Sequence, residues 1–172
     1  MGNPTCWLSC VLLGKLCTVG GADAAVAILD RYAGTFTASG TILEGPDAAS
    51  HWVRCHFTSS RQGATSLSLR GTCWAYLILS RSVSVDLDLD PQSGRVTGTY
   101  TGSRVGKAQL TGKQRGADLD LTIQWPKPLY GDTTAHLRVA SVDAERLRIV
   151  VIDHIGVNGP VRATTNLTLL RR

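Results

Sequence analysis

The sequence has no apolar run near the ~20 residues that a membrane-spanning helix needs. Its one apolar stretch, residues 6–13 (Cys-Trp-Leu-Ser-Cys-Val-Leu-Leu), is far shorter. Aromatic residues are few, 6% of the chain, and the sequence stops at Leu169-Leu170-Arg171-Arg172. An outer-membrane barrel needs strands of about ten residues, an apolar lipid face and aromatic girdles. The scarce aromatics, the short strands expected here and the terminal Arg pair argue against one. No domain linker or low-complexity tract divides the chain, and no run has convincing helical period beyond a short helix near residues 24–33. Catalytic motifs are missing as well. There is no G-x-S-x-G, no H-E-x-x-H, no Walker loop and no dinucleotide fingerprint. Their absence excludes the enzymes built on them, and the expectation is a protein without catalysis.

Metal chemistry is equally unsupported, and neither a metal nor a cofactor is expected. Asp86, Asp88 and Asp90 mimic the start of a calcium loop, but the positions that need Gly and Glu hold Pro91 and Thr97. His51 and His56 point to opposite faces of a strand, as do Cys55 and His56. The four histidines, with His136 and His154, have no zinc spacing.

The N-terminus lacks early positive charge, because Met1 to Thr5 contain no Lys or Arg. The apolar run nevertheless has signal-peptide length, and Ala22-Asp23-Ala24 and Ala25-Val26-Ala27 both fit a cleavage site. The residues before Cys10 and Cys17 do not fit a lipidation site. The sequence therefore predicts a signal peptide over residues 1–24, cleaved near 24 or 27, and a single domain over 25–172. Of five cysteines, Cys6, Cys10 and Cys17 lie in the leader. The remaining pair, Cys55 and Cys73, reads as one disulfide in an oxidising compartment, which implies a periplasmic or secreted protein. Net charge is +5. The leader's Lys15 and Asp23 cancel, so the remainder carries the same excess and favours anionic partners.

What is present after residue 33 is a period of two, broken by Gly, Pro, Asn or Asp about every ten residues. Strands are expected over 34–42, 52–58, 66–74, 82–90, 95–100, 108–112, 117–125, 135–141, 146–153 and 163–170. The cleanest alternation is Ser82 to Asp90 (SVSVDLDLD), with Val83, Val85, Leu87 and Leu89 on one face and acids on the other. The second and third strands form a hairpin that can bring Cys55 beside Cys73, within the Cα separation that a disulfide needs. The predicted fold is all-β, a single antiparallel up-and-down β-barrel or a β-sandwich of about 8–10 short strands.

Two surface features stand out. Between Pro91 and Ala117 lie Arg95, Arg104, Lys107, Lys113 and Arg115, with no acid. This basic hairpin suits an anionic partner, but protection of a sheet edge is favoured, because the acidic faces at Asp86–Asp90 and Asp118–Asp120 flank it and are placed to pair with it across strands. Nucleic acid is disfavoured because no stacking aromatics are interleaved with these residues. Trp125-Pro126-Lys127-Pro128-Leu129-Tyr130-Gly131-Asp132 reads as a stiff loop, either a barrel rim or a protein-partner contact.

The segment Gly94-Arg95-Val96-Thr97-Gly98-Thr99-Tyr100, with Val105-Gly106, Leu110-Thr111-Gly112 and Leu119 to Trp125, resembles the second to fourth strands of the avidin and streptavidin barrels. In that family the Tyr and the strand-ending Trp contact biotin, so the resemblance implies Tyr100 and Trp125 as ligand contacts. The Ser expected two places after the Tyr is here Gly102, with Ser103 one place late. Gly34-Thr35-Phe36 with Cys55 and Cys73 resembles the small periplasmic protease-inhibitor barrels. The order of leader, G-T-aromatic, two Cys, G-x-Y strand, A-x-L-x-G and a last strand ending in Arg is similar to uncharacterised exported proteins of alphaproteobacteria, which implies localisation. The combined expectation is a calycin-like binding barrel holding a small or amphipathic ligand, or an anionic envelope ligand, in a mouth lined by Tyr100, Ser103 and Trp125. The alternative is an interaction module such as a protease inhibitor or an envelope-surface binder of anionic glycan or lipopolysaccharide.

Overall fold

Period-two alternation with regular turn signals produces a closed meander. The computed structural model describes residues 21–45, 49–76, 79–157 and 159–172. One helix, α1 (Gly21–Tyr32), precedes ten strands: β1 (Gly34–Leu43), β2 (Ser50–Arg61), β3 (Ser66–Ala75), β4 (Leu79–Leu89), β5 (Arg95–Ser103), β6 (Gly106–Arg115), β7 (Asp118–Leu129), β8 (Asp132–Ser141), β9 (Arg146–His154) and β10 (Val161–Arg171). Each strand pairs antiparallel with the next, and β1 closes on β10, so the sheet is a barrel rather than a sandwich. All ten expected strands are present. They are 9–12 residues long, longer than expected, because the ladder runs into turns that the sequence marks with Gly and Pro. Strand length is therefore no argument against a membrane barrel. The lining is: apolar residues face inward and charged ones outward, the reverse of a lipid-facing wall. No described helix is long and apolar enough to cross a membrane.

The alternation fixes the faces. On β2, Val53, Cys55, Phe57 and Ser59 are buried while Trp52, Arg54, His56 and Thr58 are exposed. Two glycines permit tight curvature. A Cβ at Gly71 would lie 2.2 Å from the His56 carbonyl oxygen, and one at Gly98 would lie 2.1 Å from that of Asp86. A side chain at either place would hold neighbouring strands apart. Cys55 sits opposite Cys73 in the β2–β3 register, and the two form a disulfide. The bond links strands already paired, as the hairpin predicts.

Helix α1 closes one end. Ile28, Leu29 and Tyr32 are buried beneath the barrel. The Tyr32 hydroxyl donates to the Ala117 carbonyl at 2.6 Å, and Arg61 pairs with Asp30 at 2.8 Å. Arg171 on the last strand donates to the Ala33 carbonyl at 2.5 Å and the Arg31 carbonyl at 2.7 Å, satisfying acceptors that a helix C-terminus leaves open. The expected leader covers residues outside the described ones up to 20, and both expected cleavage points fall within α1. Either cut would retain Ile28, Leu29 and Tyr32.

Because the barrel is closed, the basic hairpin β5–β6 is not a sheet edge, and edge protection does not explain it. Its charges are also split. Arg95 and Lys113 face each other in register on the outer wall, and Arg115 pairs with Asp120 at 3.1 Å. Arg104 lies instead in the β5–β6 turn, at the end away from α1. The expected 125–132 loop is not a loop. β7 continues to Leu129 with an irregularity after Gln124, and only Tyr130 and Gly131 turn the chain. The prolines fit there because Pro126, Lys127 and Pro128 are exposed where the ladder is broken.

Candidate functional site

A barrel of eight strands is filled by side chains or holds one small ligand, and diameter grows with strand number. Ten strands leave an internal cavity of about 570 Å³. Its floor is Tyr32 from α1, its wall is the apolar inward face of every strand, and its mouth lies at the opposite end. The β1–β2, β3–β4, β5–β6, β7–β8 and β9–β10 turns surround that mouth.

The sequence-predicted residues fall as follows. Tyr100 and Trp125 face inward on β5 and β7, with ring centroids 6.0 Å apart in an edge-to-face arrangement. Ser103 lies at the mouth, where its hydroxyl donates to the Gly106 carbonyl at 2.8 Å. Arg104 also borders the mouth, donating to the Glu44 carbonyl at 2.6 Å with its guanidinium 5.9 Å from the Tyr130 ring centroid. Arg95, Lys113 and Arg115 are on the outer wall and do not border the cavity, nor does Lys107. Four of the singled-out residues therefore meet at one opening.

Sequence reasoning missed two contributors, Arg81 and Asp153, and named a third, Tyr130, only as part of a stiff loop. Arg81 precedes Val83, Val85 and Leu87 on the inward parity of β4, so a cation interrupts the apolar face of that strand near the mouth, between Leu79 and Val83. Its guanidinium donates to the Gly102 carbonyl at 3.2 Å. Burial pushes the Tyr100 phenol pKa up, and Arg81 opposes the rise. The signal was available, since the alternation extends two residues before Ser82. Tyr130, within the flagged segment, holds a left-handed backbone (φ 61°) and its hydroxyl donates to the Leu43 carbonyl. Its carbonyl accepts from the Gly156 N–H at 2.5 Å, which ties the β7–β8 and β9–β10 turns together.

The second missed residue is Asp153, which continues the inward parity of Leu147, Ile149 and Val151 on β9. It is 2% exposed, and neither carboxyl oxygen has a hydrogen-bond partner among the described residues. The Trp125 indole Nε1 is also buried and unpartnered. Burial pushes the Asp153 carboxyl up to about 7, and the Asp132 charge adds to the rise. The nearby Trp125 N–H pulls the other way. Asp153 does not line the cavity, but it stands behind Trp125, which does. Among the described residues no group of three or more His, Cys, Asp or Glu is placed to hold a metal.

No protein-family model matches the sequence, and no curated protein does. Among solved structures, the barrel is similar to the S-type phycobiliprotein lyase CPES from Guillardia theta. The sequences are 13% identical, the TM-score is 0.55, and the match covers 88% of this chain and 95% of that one. At this identity the likeness carries the fold, a calycin-like up-and-down barrel, and no residue roles. It does correct the expectation of a protein without catalysis. A barrel of this architecture is a lyase, so the absence of hydrolase, NTPase and dinucleotide motifs, which belong to other folds, excludes no chemistry here.

Proposed function

We propose that the barrel binds a small amphipathic molecule, with its apolar body in the cavity and its polar head at the mouth. The observation that carries this reading is the 570 Å³ apolar interior open at one end. That volume falls within the roughly 300–1,000 Å³ of small-molecule sites. Tyr100 and Trp125 would contact the body, and Ser103, Arg81 and Arg104 the head. The two cations favour an anionic head group. Deeper in, the unpartnered Ser59 hydroxyl suits a ligand that carries a second polar atom. The interaction-module alternative requires a filled barrel and an exposed Trp125–Tyr130 loop, and both the cavity and the buried Trp125 weigh against it.

The test is titration with a dansyl-labelled undecanoate, read by dansyl fluorescence. Saturable one-to-one binding is expected, weakened roughly tenfold or more, about 1.4 kcal/mol, by Val85→Trp, which fills the cavity from β4. Binding that ignores Val85→Trp, or no binding, would sink the reading.

We also infer export to an oxidising compartment. The Cys55–Cys73 bond supports it. Intact mass of the protein exported from a Gram-negative host, before and after reduction and alkylation, tests it. A start at Ala25 or Ile28 with two thiols labelled only after reduction is expected. An unprocessed N-terminus with five free thiols contradicts it.

A further inference from the structure

Exposed apolar side chains are unevenly placed on this barrel. Trp52 (62% exposed), Tyr76 (59%) and Leu79 (56%), with Trp74, Ile152, Val157 and Val161, all lie toward the mouth. Among the described residues, only Val142 and Leu170 of this set belong to the closed end. Trp74 and Leu79 border the opening itself, and the Tyr76 ring packs edge-on against His51 with centroids 5.0 Å apart.

Acids are unevenly placed as well. At the closed end Arg61, Arg115, Arg138 and Arg146 pair with Asp30, Asp120, Asp118 and Asp143, and the cations there that form no ion pair among the described residues, such as Arg95 and Arg148, share that end with further acids, Asp88, Asp90 and Glu145. Around the mouth half stand Arg54, Arg81, Arg104, Lys107, Lys127 and Arg162, all exposed. None of these six forms an ion pair among the described residues. The described acids at that end are few: Glu44 and Asp132, with Asp153 buried.

The geometry points to a docking surface for an anionic phospholipid bilayer, with the mouth facing the membrane. Trp and Tyr seat their rings at the level of lipid head groups. Leu79 and Val157 are placed to enter the acyl boundary, and apolar insertion beside cations is how peripheral proteins hold anionic bilayers. The ring of unpaired Arg and Lys complements the negative surface. In this pose the cavity opens toward the lipid. The inference rests on the outer rim and stands whether or not a ligand occupies the interior.

The test is flotation of the protein, as purified, with vesicles of phosphatidylcholine alone and of phosphatidylcholine with phosphatidylglycerol at about three to one. Binding is expected to the mixed vesicles only, and to fall as salt rises. Trp52→Ser/Tyr76→Ser should abolish it. Arg81→Gln and Arg104→Gln should each weaken it about fivefold, the loss of one cation near an anionic surface. Val142→Ser at the closed end should change nothing. Because every variant carries the same N-terminus, an apolar leader cannot produce these differences. Thermal melts matched to the parent protein confirm that the variants fold. Should a variant fail to melt cooperatively, the salt and lipid dependence of the parent protein decides. Equal binding to both vesicles, no binding, or binding insensitive to the rim substitutions would overturn the proposal. Undecanoate binding is measured without vesicles, so loss of one result does not imply loss of the other.

Discussion

Asp153→Asn should leave stability unchanged in acid and raise it at alkaline pH. In the folded barrel burial pushes the carboxyl up to about 7, and the charge of Asp132 adds to the rise. In the unfolded chain it returns to about 3.8. Between those values the folded protein keeps a proton that the unfolded chain has released, so stability falls as pH rises. The contribution is complete below about pH 4 and gone above about pH 7. At about 1.4 kcal/mol for each pH unit, the whole effect is on the order of 4 kcal/mol. Asn has nearly the same shape, carries no charge and can accept from the Trp125 N–H, so it removes the penalty. For a chain of this length, where ~1 kcal/mol moves the melting temperature by about 2–4 °C, the variant should melt roughly 10 °C above the parent at pH 8. At pH 4 the two should coincide. Circular dichroism melts at the two pH values decide it. Carboxylates remote from the site, with no shared partner, contribute alike to both proteins and cancel. A difference of the same size at both pH values would show that the Asp153 carboxyl is solvated, and a loss confined to pH 8 would show that it is paired; either result would refute the reasoning.

Replacing both Cys55 and Cys73 by Ser should cost about 3 kcal/mol in urea unfolding, because the bond closes a loop of about 18 residues in the unfolded chain; an unchanged midpoint would refute it. Tyr32→Phe removes the donor to the Ala117 carbonyl and should cost about 1–3 kcal/mol, with faster amide exchange in α1 and near Ala117. For Asp118, the hydrogen bond from Arg138 holds the carboxyl below the usual range. Its stabilisation is therefore present above that range and lost as pH falls through the lowered value. Asp118→Asn should lower the melting temperature at pH 6 and leave it unchanged in strong acid; a loss at both would mean that shape rather than charge matters.

Much of the barrel was legible because every strand obeys one rule, alternation punctuated by turns. Ser82 to Asp90 alone fixes the inward set Val83, Val85, Leu87 and Leu89. The Cys55–Cys73 pairing was legible for the same reason, since a hairpin places residues by register. Closure was expected as a barrel with a sandwich left open beside it, because β1 meets β10 across about 130 residues and nothing local in either strand names its partner. The mouth was half legible. Tyr100 and Trp125 were found through a resemblance, whereas Arg81 and Asp153 were overlooked because a charge on an apolar face reads as the end of a strand. Hydrophobic pattern marks where a wall is buried, and charges that interrupt it near a turn mark where the wall opens. The prolines after Trp125 misled in the other direction. They signal a loop, but an exposed, unpaired stretch of strand tolerates them equally well.

Because α1 seals the floor, the interior is a cul-de-sac. Among the described residues its single opening is the mouth, so substitutions at the floor, such as at Tyr32, alter the depth of the chamber, while those at the rim, such as at Arg81 or Arg104, alter its access.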